Sequence, residues 1–539
     1  MASQNMEKLE SNVAIIDYSQ DVPLSTSYEV AMEALSSLIR QKKRGDRKGI
    51  GGKYGKLDRM RIYLKEQKVL IEILDLEEHM AGLKIIHVAG TKGKGSTCTF
   101  CEAMLRESGF RTGLFTSPHL IDVRERFRIN GVDISEDKFL LYFWNCWNRL
   151  KEHETEDLPM PPLFQFLTVL AFKIFVCEQV DVSIIEVGLG GRNDSTNAIE
   201  EPIVCGITSL GMDHTEALGI PFSEIHLSQQ LLAFILSNTI GQIASHKAGI
   251  FKHQIPAFTV PQVSEAMDVL QENAQELMVP LKVVEPLDSN ELNGLKLSLS
   301  GDHQLSNAGL AVSLCKCWLQ RTGNWEKLFQ NDNKEANLPE AFLRGLSKAH
   351  IAGRAQIVPD LSSTSSSCIS SEVAETSGDL IFYLDGAHSP ESMEVCAKWF
   401  SSAVKENNLS PSLVSFSSHD IESINKVPGN GYMQHEKFNI KEINKISKKI
   451  LLFNCMDVRD PQILLPRLVS TCASSGTFFS KAIFVPSIST YNKVTSGTSV
   501  VPSDISSKDL SWQFSLQRLW EKIVHGIEGK SRKKRICEE

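Results

Sequence analysis

No apolar run in the chain approaches the ~20 residues that a membrane-spanning helix needs, so that class of protein is not expected. Positive charge is also in short supply. A formal net charge of -8 leaves no electrostatic case for a nucleic-acid or anionic-membrane partner. Cysteine is present, with 12 residues, but not as a framework: the spacings are irregular and several (Cys177, Cys205, Cys396, Cys455) sit inside apolar runs, the pattern of reduced, buried thiols. Cys98-Thr99-Phe100-Cys101 is formally C-x-x-C, but no second pair follows at zinc spacing, and packing is the expected role. The first 22 residues lack an apolar core and carry Glu7, Glu10, Asp17 and Asp21, unlike a secretory or arginine-rich transit segment. This form is therefore expected in the cytosol; a mitochondrial or plastid form would need an upstream start.

What the chain does have is a cluster of glycine, lysine and serine, Gly90-Thr91-Lys92-Gly93-Lys94-Gly95-Ser96. It follows the apolar run Ile85-Ile86-His87-Val88 and opens a helical pattern through Thr99, Ala103, Met104 and Leu105 that stops at Gly109. Small residues let backbone N–H groups curl around oxyanions, the helix N-terminus adds partial positive charge, and the lysine adds a full one. The expected ligand is a nucleoside triphosphate. The Walker spacing is not met, because Val88 and Gly95 occupy the places where that pattern has its first glycine and its Ser or Thr.

Past this loop, short apolar strands alternate with helices: Thr112–Thr116, a helix through Phe164–Phe172, Val182–Val187, then Ile203–Thr208. That alternation predicts an α/β fold with a mainly parallel sheet flanked by helices, whose ligands gather at the carboxyl ends of the strands. A second alternation follows Gly353-Arg354, with strands at Leu380–Leu384, Ile450–Asn454 and Ala482–Val485 and helices starting at Ser389-Pro390 and Pro461. It predicts a smaller, Rossmann-like α/β domain at the C-terminus. The expected organisation is a flexible N-terminus (1–27), an ATP-binding central domain (28–350), a C-terminal domain (351–525) with disordered insertions at 360–378 and 407–447, and a basic tail (526–539). The basic segment from Lys42 to Lys48, with the glycines after it up to Gly55, reads as a solvated, mobile loop.

The strand ends supply candidate chemistry. Glu186 closes one strand immediately before Gly188-Leu189-Gly190-Gly191-Arg192, well placed to hold a hard divalent cation against phosphates. His214 follows another strand and by itself reads as a structural histidine; Ser117, before Pro118, reads as a turn residue. Lys247 reads as a surface lysine, although in a partly buried site its neutral amine could take up CO2 as a carbamate. Tyr383-Leu384-Asp385-Gly386-Ala387-His388 repeats the strand, acid, glycine arrangement, so Arg354 and Asp385 could close on a nucleotide opposite the phosphate loop.

Taken in order, the phosphate loop, Phe115–Leu120, Glu186–Gly191, Asp213-His214, Lys247–Ile250, Gly301–Ala308 and Leu384–His388 resemble the eukaryotic folylpolyglutamate synthases of the Mur-ligase and folate-ligase superfamily. The resemblance implies an ATP-dependent ligase that joins L-glutamate to the γ-carboxylate of tetrahydrofolate and its polyglutamates through an acyl phosphate. It implies that Thr91, Gly93, Lys94, Gly95 and Ser96 bind phosphates and that Ser117, Glu186 and His214 hold Mg2+. Arg354 and Asp385 match nucleotide contacts, and Asn307 and His388 match residues lining the cleft. Lys94, Glu186, His214 and Lys247 are the expected catalytic set; Lys247 matches a lysine carbamylated in bacterial relatives, although His246 stands where those have glutamate. Thr116, Pro118, His119, Phe164 and Phe166 match folate-side elements, K+ is a further implied cation, and a monomer is expected. Lys92 and Ser389 depart from the bacterial pattern towards the polyglutamylating branch. A dihydrofolate synthase remains the nearest alternative, and a nucleotide-binding switch is the alternative of another class.

Overall fold

The computed structural model describes residues 28–40, 56–211, 239–329, 338–360, 380–409, 447–455, 459–485 and 510–525. The expected flexible N-terminus, the basic segment Lys42–Gly55, both insertions and the basic tail lie wholly or largely outside these residues. The described residues fall into two compact units, one up to Gln356 and one from Ile357 on.

The first unit is built on an eight-stranded sheet. Its strands are β1 (Ile85–Ala89), β2 (Thr112–Phe115), β3 (Phe127–Ile129), β4 (Val132–Asp133), β5 (Val182–Glu186), β6 (Val204–Ile207), β7 (Ala257–Thr259) and β8 (Leu281–Val283), in the order β4-β3-β2-β5-β1-β6-β7-β8. The six strands from β2 to β8 in that order run parallel, while β3 and β4 add antiparallel to the edge. The α/β, mainly parallel architecture predicted from the alternation is the one observed.

Burial explains the apolar runs. Every position of β1, β2, β5 and β6 is buried, as a sheet covered on both faces requires. In β1 the side chains alternate: Ile85 joins the core under the helices Tyr28–Arg40, Glu136–Glu152 and Leu163–Cys177. Ile86 and Val88 join the core under Lys94–Glu107, His303–Arg321 and Glu340–Lys348. Helices Ile240–Ala248 and Ser264–Glu276 cover β6 and β7 with a third apolar cluster.

From Ile357 on, the second unit holds β9 (Gln356–Pro359, its first residue counted with the first unit) with β10 (Ile381–Leu384), and β11 (Ile450–Phe453) parallel to β12 (Lys481–Phe484), as separate two-stranded sheets. Its core gathers around helices Pro390–Leu409, Pro461–Ser474 and Ser511–His525, with Ala397, Leu465, Cys472 and Leu516 buried. The first of these helices runs through Leu409, past Asn407 where the insertion was expected to start. Among the described residues no helix is long and apolar enough to cross a membrane.

Candidate active site at the carboxyl edge of the sheet

The central strand β1 ends where the phosphate loop begins, between the ends of β5 and β6. Thr91 N and Lys92 N both donate to Ser209 O at 3.1 Å, which ties the loop to the chain leaving β6. Two glycines are required by the turn. Gly90 sits at φ +148°, where an added Cβ would lie 1.8 Å from Thr208 Oγ1, and Gly93 at φ +88°, where it would lie 2.2 Å from Asn307 Oδ1. Gly93 also precedes the helix Lys94–Glu107 without any side-chain cap. The first-turn amides of a helix have no intrahelical acceptor, so this end presents N–H groups and partial positive charge to an anion. The helix ends at Glu107, and Gly109 turns the chain away at φ +92°.

Glu186 closes β5 beside this loop and is only 4% exposed. Burial pushes its carboxyl above the usual range, opposed by the Lys94 charge, by Ser117 N donating to Oε2 at 3.0 Å, and by Arg354 and Arg126. A carboxylate at a strand end beside a phosphate loop is the kind of donor that a hard divalent ion takes, together with phosphate oxygens and water. Lys94 Nζ lies 3.4 Å from Thr91 O and shares Glu186's surroundings, so Lys94, Glu186 and Ser117 do come together. His214 lies outside the described residues. Among the described residues no group of three His, Cys, Asp or Glu forms a metal cage, which leaves Glu186 with Ser117 as the candidate ligands here.

No family model matches the chain. A curated Folylpolyglutamate synthase of Arabidopsis thaliana is 59% identical over 97% of this chain and 77% of its own length. The chain belongs to the folylpolyglutamate synthase family. The mitochondrial folylpolyglutamate synthase of Bos taurus is 36% identical over 92% of this chain and 75% of its own. The solved structure of Mycobacterium tuberculosis folylpolyglutamate synthase complexed with ADP is 19% identical, covers 85% of this chain and 82% of that one, and shares the fold at a TM-score of 0.56.

For a folylpolyglutamate synthase family member, several side chains fall differently from the sequence reading. Lys247 is buried, not a surface lysine: its Nζ donates to Gly90 O at 2.6 Å, so it braces the phosphate loop from the helix Ile240–Ala248. Phe166 is fully buried against Phe143 and Trp147, packed as part of the aromatic core beneath Phe164. Phe164 is half-buried, against the Gly188 backbone and 6.1 Å from Phe115. Asn307 donates to Gln304 Oε1 at 2.9 Å, and Gln304 Nε2 reaches Ser96 Oγ at 3.3 Å, so one helix turn of His303–Arg321 lines the loop. Gln304 was given no role from sequence, although its i,i+3 spacing to Asn307 puts both on one face.

Arg126 was missed entirely. It is 9% exposed, burial pulls its guanidinium down to about 10, and its Nε donates to His119 Nδ1 at 2.9 Å. Burial, then the Arg126 charge, lowers His119 to about 4, so this imidazole is neutral at physiological pH and accepts from the arginine. Thr116 N donates to Arg126 O at 3.2 Å, and Pro118 is exposed. Asp385 and His388 belong to the second unit, where Asp385 Oδ1 accepts from Ala387 N at 2.8 Å and His388 Nδ1 lies 3.0 Å from Gly386 O.

Proposed function

We propose that this chain is an ATP-dependent ligase that joins the amine of free L-glutamate to the γ-carboxylate of tetrahydrofolate and folate polyglutamates, acting as a monomer. The observation that carries the reading, beside family membership, is the buried Glu186 between Lys94 and the Ser117 N–H at the edge of an uncapped phosphate loop. A carboxylate does not condense with an amine in water. Transfer of the γ-phosphoryl group turns the carboxylate into an acyl phosphate, the glutamate amine attacks its carbonyl carbon, and phosphate leaves.

The residues divide this work. Amides from Gly93 to Ser96, with Thr91 and Asn307 shaping the loop, bind phosphate oxygens, and Lys94 neutralises the charge that builds as the phosphoryl group moves. Lys247 holds the loop through Gly90. Glu186, Ser117 and His214 would hold Mg2+, which supplies charge neutralisation across the terminal phosphates. Arg354, and from the C-terminal domain Asp385 and His388, would contact the nucleotide. Thr116, Pro118, His119 and Phe164 would lie on the folate side, and K+ belongs to the proposal on family resemblance only.

ADP release tests the reading. It should require both tetrahydrofolate and L-glutamate, and dihydropteroate should not replace the folate. Robust turnover of dihydropteroate would turn the assignment to dihydrofolate synthase, and ATP hydrolysis indifferent to glutamate would turn it to a nucleotide-binding switch.

A further inference from the structure

The loop 116–126 leaves β2 and returns at β3, where Phe115 pairs Phe127. It carries Ser117 against Glu186 at one end and Arg126 against His119 at the other. Its interior is organised by one carboxylate. Glu125 accepts from three successive amides, Leu120 N at 2.7 Å onto Oε2 and Ile121 N and Asp122 N at 2.8 and 2.7 Å onto Oε1. Charge-assisted bonds of this length are among the stronger local constraints a loop can have.

The outer side is fixed by a residue far away in sequence. Tyr28, at the start of the helix Tyr28–Arg40, donates its hydroxyl to Asp122 Oδ1 at 2.6 Å across 94 residues. Its ring packs edge-on to Phe139 at 5.8 Å and lies under the Arg124 guanidinium at 5.2 Å. Asp122 in turn accepts from Arg124 N and Nε and completes the cap of the short 3-10 helix Val123–Arg126. The loop tip, by contrast, exposes Leu120 and Ile121. Strand β5, with Glu186, separates this loop from the phosphate loop on β1. The loop therefore lies across β5 from the phosphate loop, on the side assigned above to the folate, and exposed apolar groups beside a site are what an aromatic ligand body packs on.

We infer that Tyr28 is a positioning residue, whose hydroxyl acts through Asp122 and the Glu125-filled loop to set the surface that receives the carboxylate substrate. The inference rests on the proposed ligase reading. Tyr28→Phe keeps the ring packing and deletes one hydrogen bond. It should raise the KM for tetrahydrofolate at least fivefold while leaving the KM for ATP within twofold and the melting temperature unchanged. Glu125→Gln, which deprives one of the three amides of its acceptor, should show the same selective signature more strongly. Unchanged folate KM in both variants, with the wild type turning over normally, overturns the inference and leaves the ligase reading intact. Equal rises in both KM values with a lowered melting temperature overturn it as well, because that is ordinary destabilisation. A wild-type protein with no folate-dependent ADP release removes the ligase reading, and the inference with it.

Discussion

Strands that look alike in sequence meet opposite fates in the two units. In the first, β1 and β5 (Ile-Ile-His-Val-Ala and Val-Ser-Ile-Ile-Glu) are buried at every position. In the second, β11 reads Ile-Leu-Leu-Phe, at least as apolar, yet Ile450 is 54% and Leu452 61% exposed. The difference lies in how many neighbours each sheet has. The central strands β1, β2, β5 and β6 of the eight-stranded sheet, clad by helices on both faces, have every side chain out of water, whereas paired strands in a two-stranded sheet leave edges and a face open. An apolar run thus reports a strand, not the cover over it. The candidate site follows the same line: it lies at the rim of the doubly covered sheet, where the end of β5 holds Glu186 in place.

Phe166→Ala attacks the covered side of this comparison and carries the largest expected effect. It empties a fully buried ring position and should cost about 3–5 kcal/mol in denaturant unfolding of the first unit. A loss below about 1 kcal/mol would mean that the aromatic cluster is looser than its packing indicates.

Lys94→Ala tests the rim instead. Among the described residues the side chain makes one weak hydrogen bond, to Thr91 O, so the fold should persist while kcat drops at least about a hundredfold, about 2.7 kcal/mol of transition-state stabilisation. Activity within about tenfold of wild type, with ATP still bound, would show that the loop does not serve the transferring phosphoryl group.

Glu186→Gln and Asp385→Asn set the two units against each other. Removing even an outer partner of a bound metal costs roughly tenfold or more in affinity, so loss of the Glu186 charge should weaken Mg2+ activation at least that much, with partial rescue at high Mg2+. Asp385→Asn should instead raise the KM for ATP, and added Mg2+ should not repair it. Equal rescue of both variants, or of Asp385→Asn only, would place the metal with the wrong unit.

Leu452→Ala is the smallest effect and closes the comparison. A side chain this exposed should change stability by about 0.5 kcal/mol or less. A cost near that of Phe166→Ala would show that the face of β11 is covered in solution.

Local signals were legible wherever one short segment decides the outcome. β1, β2, β5 and β6 lie within a residue or two of the predicted runs, because continuous apolar stretches flanked by glycine or polar turns have few other solutions. The phosphate loop was legible for the same reason: its glycines are demanded by the backbone turn itself, as the positive φ of Gly90 and Gly93 bears out. Strands β3, β4, β7 and β8 span three residues or fewer and carry no period of their own, so only pairing with an existing neighbour makes them strands.

By itself, then, the sequence determined the α/β alternation, the place of the oxyanion cradle and the carboxylate at the end of β5, all of them consequences of spacing within a few residues. Tertiary structure decided what those groups face. Lys247 looks like any surface lysine until its helix packs against the phosphate loop and buries it on Gly90 O. Tyr28 becomes a partner of Asp122, 94 residues away, only because the helix Tyr28–Arg40 docks beside the loop that follows β2. Contacts between residues distant in the chain depend on the whole packing arrangement, which no local spacing encodes, and that is why the charge and reach of these side chains had to be read from the fold.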